Sequence, residues 1–246
     1  MEFALSEEQE ILIDSVKKML DENISIDNLR EHSKGDNSLR KCLRKLIVDM
    51  GLPGLMIPEE YGGSGLGVLE ASLVAEQLGS YAVPSPWIGN SIMAPTAILF
   101  DRENNLAEKW LPLIASGEIT ACVSLSEVVG KRSDLGLVLD SKNVSGVSIF
   151  GIDGELNPAI IITAVDDNLI LVETDNNGVE INEIPTIDTT RPVVEIIFDS
   201  SKYQIISSDK NAIQKTIDVG RIGLAADLLG ASPVSYTHLT LPTIAI

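Results

Sequence analysis

The sequence predicts an α+β protein with an all-helical N-terminal domain, an antiparallel β-barrel or β-sandwich domain, and the start of a C-terminal helical bundle. Apolar residues recur at helical spacing up to about residue 117 and at strand spacing from 118 to 206. The strand-like segments follow one another without intervening helices, which favours antiparallel pairing. Helical spacing then returns after Ser208. We therefore predict domains at 1–117 and 118–206, a first bundle helix at 207–232, and a separate tail at 233–246.

The composition indicates a globular, acidic protein. The chain has 246 residues, of which 44% are hydrophobic, and a formal net charge of −18. Such a charge disfavours nucleic acid and anionic membrane surfaces as partners, because both require a positive field. Cys42 and Cys122 each lie in an apolar pattern, so we expect reduced core cysteines and a cytoplasmic location. The N-terminus lacks the features of a signal peptide, and no apolar run approaches the roughly 20 residues that span a bilayer.

The first half of the chain shows helical periodicity with recognisable ends. Ser6 and Gln9 have the spacing of a capping box at the start of a first helix. A second helix is predicted over 39–50, ended by Gly51. Residues 51–67 are rich in glycine and proline, which predicts a long structured loop; neither phosphate-loop template fits it. Three further helical segments are predicted at 68–78, 88–99 and 104–116, the last disturbed by Pro112.

Short segments of strand character fill the second half. They are rich in β-branched residues and are separated by turn residues. Seven are predicted, at 119–126, 135–140, 146–152, 159–165, 169–174, 179–184 and 193–198. The turn residues at 166–168 and 175–178 predict two hairpin connections.

The stretch 121–134 marks the change from helical to strand period, with hydroxyls, a glycine and charges at the junction. This makes it a plausible functional site. His32 and His238 are the two histidines of the chain, and their positions give little support to a histidine triad or a zinc cluster. Carboxylates are plentiful, but none stands out by its spacing, so the residues alone do not identify a reaction.

Several motifs resemble, in order and interval, those of the acyl-CoA dehydrogenase family. The resemblance extends over about residues 3–232, and the order and intervals of the motifs together make it specific. The motifs are Gly51-Leu52-Pro53-Gly54-Leu55-Met56-Ile57-Pro58-Glu59-Glu60-Tyr61-Gly62-Gly63-Ser64-Gly65, Val74-Ala75-Glu76-Gln77-Leu78-Gly79, Ser126-Glu127 with Ser133-Asp134, Ile187-Asp188-Thr189-Thr190-Arg191, and Leu224-Ala225-Ala226-Asp227-Leu228-Leu229-Gly230-Ala231.

The resemblance implies a reaction, a cofactor and site residues. The family oxidises an acyl-CoA thioester: a glutamate removes the α-proton, and the β-hydrogen passes as hydride to bound FAD. Leu125 and Ser126 would offer hydrogen bonds to the isoalloxazine edge, and Ser133 would lie near the acyl-CoA. Phe150 would pack against the flavin, with Ile152 on the same strand. From the residues alone, Ser126 could instead be a turn hydroxyl and Phe150 a core residue of the barrel.

The sequence departs from the family pattern at informative positions. Val128 follows Ser126-Glu127 where the family usually has proline, and Ser148 and Ile152 replace a lysine and a hydroxyl residue of the flavin strand. The chain thus resembles a divergent member, nearest the branch acting on bulky or steroid side-chain acyl-CoAs, where paired unlike subunits occur. Two alternatives stay open: a non-catalytic structural subunit of a heteromeric dehydrogenase, and a lipid-binding module without redox activity.

The resemblance places the catalytic glutamate outside this chain. In the family, a C-terminal four-helix domain supplies that base, an arginine for the flavin pyrophosphate and most of the oligomer contact. We therefore predict no catalytic residue here, no turnover by this chain alone, and homo- or hetero-oligomers with similar subunits. Pro233 is predicted to break the last helix, and the sequence after it resembles translated adapter or vector sequence rather than the family's continuation.

Overall fold

The computed structural model describes residues 4–125, 129–130, 136–154, 157–175, 178–188 and 191–244, with side chains up to Pro233. Three layers lie in order: a group of helices, a first β-sheet and a second β-sheet. Helices fill the chain up to Ala115, strands follow from Ala121, and a long helix comes last. The α+β class and this element order are as predicted.

The helices begin and end largely where the sequence signals lie. Ser6 and Gln9 form the predicted capping box, and Gly51 takes a left-handed φ of +71° just after the third helix. A short helix from Ile26 to Ser33 was not predicted, because its eight residues carry too few apolar positions for a clear period. The helices are α1 Glu7–Asn23, α2 Ile26–Ser33, α3 Ser38–Asp49, α4 Val68–Ser80, the π-helix Ile88–Met93, α5 Ala94–Ile98, α6 Leu106–Ala115 and α7 Lys210–Ile244.

The glycine-rich segment 51–67 is a compact loop with two short 3₁₀ turns, Leu52–Gly54 and Glu59–Tyr61. A Cβ atom at Gly63 would lie 2.0 Å from the carbonyl oxygen of Ile57. Close backbone packing therefore accounts for this glycine.

The strands form two separate four-stranded sheets, so the predicted barrel is wrong and the sandwich alternative is correct. One sheet has the order β1-β4-β5-β8 and the other β2-β3-β7-β6. The strands are β1 Ala121–Ser124, β2 Leu137–Leu139, β3 Asn143–Gly151, β4 Ile160–Val165, β5 Asn168–Glu173, β6 Val179–Ile184, β7 Val193–Lys202 and β8 Gln204–Ser207. Purely antiparallel pairing is also wrong, because β1 and β4 are parallel. The chain between them is long enough to carry β2 and β3, which lie in the other sheet.

One of the two predicted hairpins is present. Asp166, with φ of +52°, turns the chain between the antiparallel strands β4 and β5. The connection at 175–178 is not a hairpin, because β5 and β6 belong to different sheets. Turn residues mark a change of direction, but they do not specify which strand becomes the partner.

The first sheet is buried on both faces. In β4, Ile160 and Ile162 pack with the helices, whereas Ile161 and Val165 belong to the core between the two sheets. This explains why β4 is buried along its whole length and is apolar at five of its six positions rather than at alternate ones. The first sheet therefore lies between the helices and the second sheet, and the C-terminal end of β1 lies close to α7.

The long helix α7 packs closely against α4. Cβ atoms at Gly79 and Gly230 would lie 2.0 Å from the carbonyl oxygen of Asp227 and 1.9 Å from that of Glu76, so the two backbones touch. The helix continues through Pro233, against the predicted break there. Proline removes one donor but fixes φ in the helical range, so a helix already formed can pass through it.

Candidate functional site

An apolar cavity of about 330 Å³ lies where the first sheet meets the π-helix and α7. Strand and helix residues each supply one wall. Arg221 is the charged side chain among the described residues that line it. The lining residues are Met93, Val123, Leu125, Val129, Gly130, Ile149, Phe150, Ile152, Ile217, Gly220, Arg221 and Leu224. Such a volume and lining are typical of a site for a small organic ligand or cofactor ring.

Leu125 and Ile152 lie on neighbouring segments at the strand wall. An isolated antiparallel bridge joins Val123 to Ile152, with N–H···O distances of 3.1 and 2.9 Å. Because side chains alternate along a strand, Val123 and Leu125 face the cavity while Ser124 faces the space between the sheets. There its hydroxyl lies 2.8 Å from that of Ser148, and both side chains are fully buried.

Phe150 is exposed and conformationally unusual. Its side chain is 49% exposed, and its φ of +59° lies in the left-handed region that large side chains rarely adopt. The pairing of β3 with β7 shifts register between Ser148 and Gly151, so Phe150 lies in an irregularity of the strand. The ring therefore borders the cavity instead of filling the core, and the alternative that Phe150 is a barrel core residue is wrong.

A second cavity of about 300 Å³ shares Phe150, Ile152 and Leu224 with the first. Its wall includes a two-point ion pair between Arg191 and Asp227, with N–O distances of 2.5 and 2.6 Å. This pair fixes the segment before β7 against α7. Phe150 thus lies between two adjoining cavities.

Three of the five predicted site residues meet at one place. Leu125, Phe150 and Ile152 all line the first cavity. Ser126 and Ser133 lie outside the described residues, so their predicted roles stay predictions. Along the described part of the same segment, Val129 reaches the cavity.

Sequence reasoning did not identify the helical wall. Met93, Ile217, Gly220 and Leu224 have ordinary apolar side chains in helical patterns, which equally indicate core packing. One signal was present: Gly220 interrupts the apolar stripe of α7, and a Cβ atom there would lie 2.6 Å from the sulfur of Met93. A glycine within a helix can indicate such a close approach.

Comparison with known sequences gives a consistent family. The model of the acyl-CoA dehydrogenase N-terminal domain matches residues 6–118. Acryloyl-CoA reductase (NADH) of Anaerotignum propionicum is 24% identical over 97% of this chain and 68% of its own length. Acyl-CoA dehydrogenase fadE12 of Mycobacterium bovis is 34% identical over 77% of this chain and 48% of its own length. The chain therefore spans between about half and two thirds of these relatives.

Solved structures show the same fold. An acyl-CoA dehydrogenase complexed with FAD from Bacillus anthracis has a TM-score of 0.77 at 18% identity, over 92% of this chain and 43% of that one. The ChsE4-ChsE5 complex of Mycobacterium tuberculosis, which is heteromeric, has a TM-score of 0.76 at 20% identity, over 94% and 65%. Helices, sandwich and final helix therefore follow a known arrangement. Residues 6–118 thus match the N-terminal domain of the acyl-CoA dehydrogenase family, and the chain shares the fold of a solved acyl-CoA dehydrogenase.

Proposed function

We propose that the full protein is an FAD-dependent acyl-CoA dehydrogenase that removes hydrogen from the α and β carbons of an acyl-CoA thioester. The observation that carries this proposal is the meeting of Leu125, Phe150 and Ile152 at one apolar cavity, although Leu125 follows β1 and the other two lie at the end of β3. The relative from Mycobacterium bovis, an acyl-CoA dehydrogenase, supports the activity.

The residues at the cavity fit one face of a flavin ring. Its walls are apolar apart from Arg221, and Phe150 keeps an exposed aromatic face at the cost of a left-handed backbone. Strain of this kind is often kept at sites that bind a ligand. The structure of Bacillus anthracis acyl-CoA dehydrogenase was solved with FAD, which supports the same cofactor here.

Each predicted residue has a definite part in the proposal. Leu125, Phe150 and Ile152 would exclude water from the flavin ring, the Ser126 hydroxyl would donate to its polar edge, and Ser133 would lie near the acyl-CoA. FAD, when bound, accepts the hydride from the β carbon. The described residues that line the cavity include no carboxylate, so we propose that the base that takes the α-proton comes from elsewhere in the protein.

Titration with FAD, followed by visible absorbance and flavin fluorescence, tests the cofactor. We expect the wild-type chain to quench flavin fluorescence and Leu125→Asp to abolish quenching, because a carboxylate would enter an apolar cavity. Val138→Asp is the matched control, since Val138 is an exposed residue of β2. Equal binding by the two variants, or no binding by the wild type, would contradict the cofactor assignment.

A second candidate is a non-catalytic subunit of a heteromeric acyl-CoA dehydrogenase. Leu224, Leu228 and Leu229 are exposed on α7, and Ile152 supplies no hydroxyl to the cavity. The heteromeric ChsE4-ChsE5 complex of similar fold supports such an assembly. Co-purification with a full-length homologue, together with no FAD bound by this chain alone, would favour this candidate over an FAD-binding homo-oligomer.

A third candidate, a lipid-binding module without redox activity, rests on the apolar lining of the first cavity. Flavin absorbance in the purified full-length protein separates it from the first candidate. A fatty acid bound in place of flavin would favour the lipid-binding module. None of the helices in the described part of the chain has the length and apolar character to cross a membrane.

A further inference from the structure

The two walls of the first cavity come from different parts of the chain, and Asp153 joins them. One of its carboxylate oxygens accepts hydrogen bonds from the backbone N–H groups of Gly89 and Asn90, at 2.7 and 3.0 Å. These two residues lie in the first turn of the π-helix Ile88–Met93. Asp153 directly follows Ile152 of the strand wall, and Met93 of the helical wall lies three residues after Asn90.

Asn90 extends this connection to β1. Its side chain is buried, and its amide oxygen accepts a hydrogen bond of 2.9 Å from the backbone N–H of Ala121, the first residue of β1. Ala121 is followed two and four residues later by Val123 and Leu125. Three hydrogen bonds thus connect the end of β3, the π-helix and the start of β1, and each segment carries a wall residue of the cavity.

The local geometry permits this connection only with particular residues. A Cβ atom at Gly89 would lie 2.9 Å from the carbonyl oxygen of Ile152 and 3.0 Å from the Asp153 carboxylate, so a side chain there would force the two segments apart. Asp153 has a φ of +61°, a conformation that aspartate and asparagine tolerate better than most residues. A long side chain could not replace Asp153 without moving the π-helix.

We propose that Asp153 is a positioning residue for the cofactor cavity. Its carboxylate holds the strand that carries Phe150 and Ile152 against the π-helix, and through Asn90 it also holds the start of β1. Phe150 lies three residues before Asp153 and forms part of both cavities. The link keeps the two walls at a fixed separation. This proposal rests on the proposed binding of FAD.

The test compares Asp153→Ala with a control variant that loses the same kind of interaction elsewhere. Asp140 accepts two backbone N–H groups at 2.8 Å in the turn between β2 and β3, and it does not line either cavity. FAD is titrated into the wild-type chain, Asp153→Ala, Asp153→Asn and Asp140→Ala, with flavin fluorescence as the readout. Asp153→Asn keeps an oxygen acceptor at the same place.

We expect the FAD dissociation constant to rise about tenfold or more in Asp153→Ala, since hydrogen bonds to a charged group are among the stronger ones. Asp153→Asn and Asp140→Ala should stay within about threefold of the wild type. Equal weakening in Asp153→Ala and Asp140→Ala would reduce the effect to general destabilisation and overturn the proposal. An Asp153→Asn variant as weak as Asp153→Ala would overturn its hydrogen-bond basis.

Amide hydrogen exchange gives a readout that does not need FAD. The backbone N–H of Ala121 donates its hydrogen bond to Asn90, not to Asp153. Its exchange rate therefore reports indirectly whether Asp153 still holds the π-helix in place. Its exchange should be about tenfold faster in Asp153→Ala than in Asp140→Ala. If the wild type binds no FAD, the cofactor assignment fails, and this measurement decides alone: faster exchange upholds the positioning role, and unchanged exchange overturns it.

Discussion

Replacing Phe150 tests whether it is a binding residue or a core residue, because the two roles predict a small and a large loss of stability respectively. Phe150 is half exposed and has a φ of +59°, whereas Phe198 in β7 is 2% exposed within the core between the sheets. If Phe150 is retained for binding, its removal should cost little folding energy. It should nevertheless weaken the binding of FAD.

Three contributions set the stability of Phe150→Gly. Burying a whole phenylalanine is worth about 1.5–3 kcal/mol, so a half-exposed ring loses about 1 kcal/mol. Glycine relieves a left-handed backbone that costs other residues about 1–2 kcal/mol. It then costs about 0.5–1 kcal/mol in additional backbone entropy. These contributions cancel to within about 1 kcal/mol, whereas Phe198→Ala should cost about 3–5 kcal/mol.

Urea unfolding and FAD titration of the variants test this reasoning together. Phe150→Ala retains the positive φ, so it should be less stable than Phe150→Gly by about 1 kcal/mol. Both should bind FAD at least about tenfold more weakly than the wild type, since a stacked aromatic contact is lost. The reasoning is refuted if Phe150→Gly is as destabilising as Phe198→Ala, or if it leaves FAD affinity unchanged.

Three further predictions concern the contacts that hold the helices. Gly79→Ala should destabilise the chain by about 2–3 kcal/mol in urea, because its Cβ would meet α7 backbone, and Gly136→Ala, with open space around it, should not. A hydrogen bond to a carboxylate on α1, together with burial, raises the pKa of Tyr81 to about 12. The folded state therefore holds the phenol proton of Tyr81 more tightly than the unfolded chain does. The resulting stabilisation, below about 1 kcal/mol for so exposed a group, is present below pH 10 and is lost towards pH 12. In Tyr81→Phe, urea unfolding curves should no longer show this loss of stability between pH 10 and 12. Arg191→Met should cost about 2–3 kcal/mol by leaving the Asp227 carboxylate without this cation, and adding Asp227→Leu should recover most of the loss.

The sequence predicted the elements better than their partners. The predicted strand 179–184 coincides with β6, because its first four residues alternate between apolar and polar and turn residues flank it. The strand Gln204–Ser207 was missed, since four residues are too few for a period. The parallel pairing of β1 with β4 could not be predicted, because the paired residues are 39 positions apart and no local pattern encodes such a contact.

The candidate site was also predicted only in part. The resemblance pointed to Leu125, Phe150 and Ile152. The left-handed conformation of Phe150 could not be predicted, because the position holds neither the glycine nor the asparagine that usually marks this conformation in a sequence. The helical wall was not predicted, although Gly220 in the apolar stripe of α7 was one signal of a close approach there. Ile217 and Leu224 have the spacing of any buried helix, and only the approach of the π-helix makes part of their surface a cavity wall.

The two departures from the family pattern on the predicted flavin strand, Ser148 and Ile152, differ in their position relative to the cavity. Ser148 replaces a lysine, but its hydroxyl pairs with Ser124 between the sheets, and the cavity is lined instead by its neighbours Ile149 and Phe150. Ile152, which replaces a hydroxyl residue, does line the cavity. Ser148→Ala should therefore cost about 1 kcal/mol of stability and leave FAD affinity unchanged.

Ile152→Thr should instead strengthen FAD binding severalfold. None of the described residues that line the cavity has a side-chain hydroxyl, and the threonine would supply one that can donate a hydrogen bond to the polar edge of the flavin ring. Fluorescence titration of both variants measures the difference, and urea unfolding of both separates affinity from stability. Weaker FAD binding in Ser148→Ala than in the wild type, at matched stability, would indicate a flavin that reaches beyond this wall into the space between the sheets, and it would contradict the assignment of the cavity as the flavin site. Unchanged binding in Ser148→Ala together with stronger binding in Ile152→Thr supports the assignment, because the residue that faces the cavity then decides the affinity.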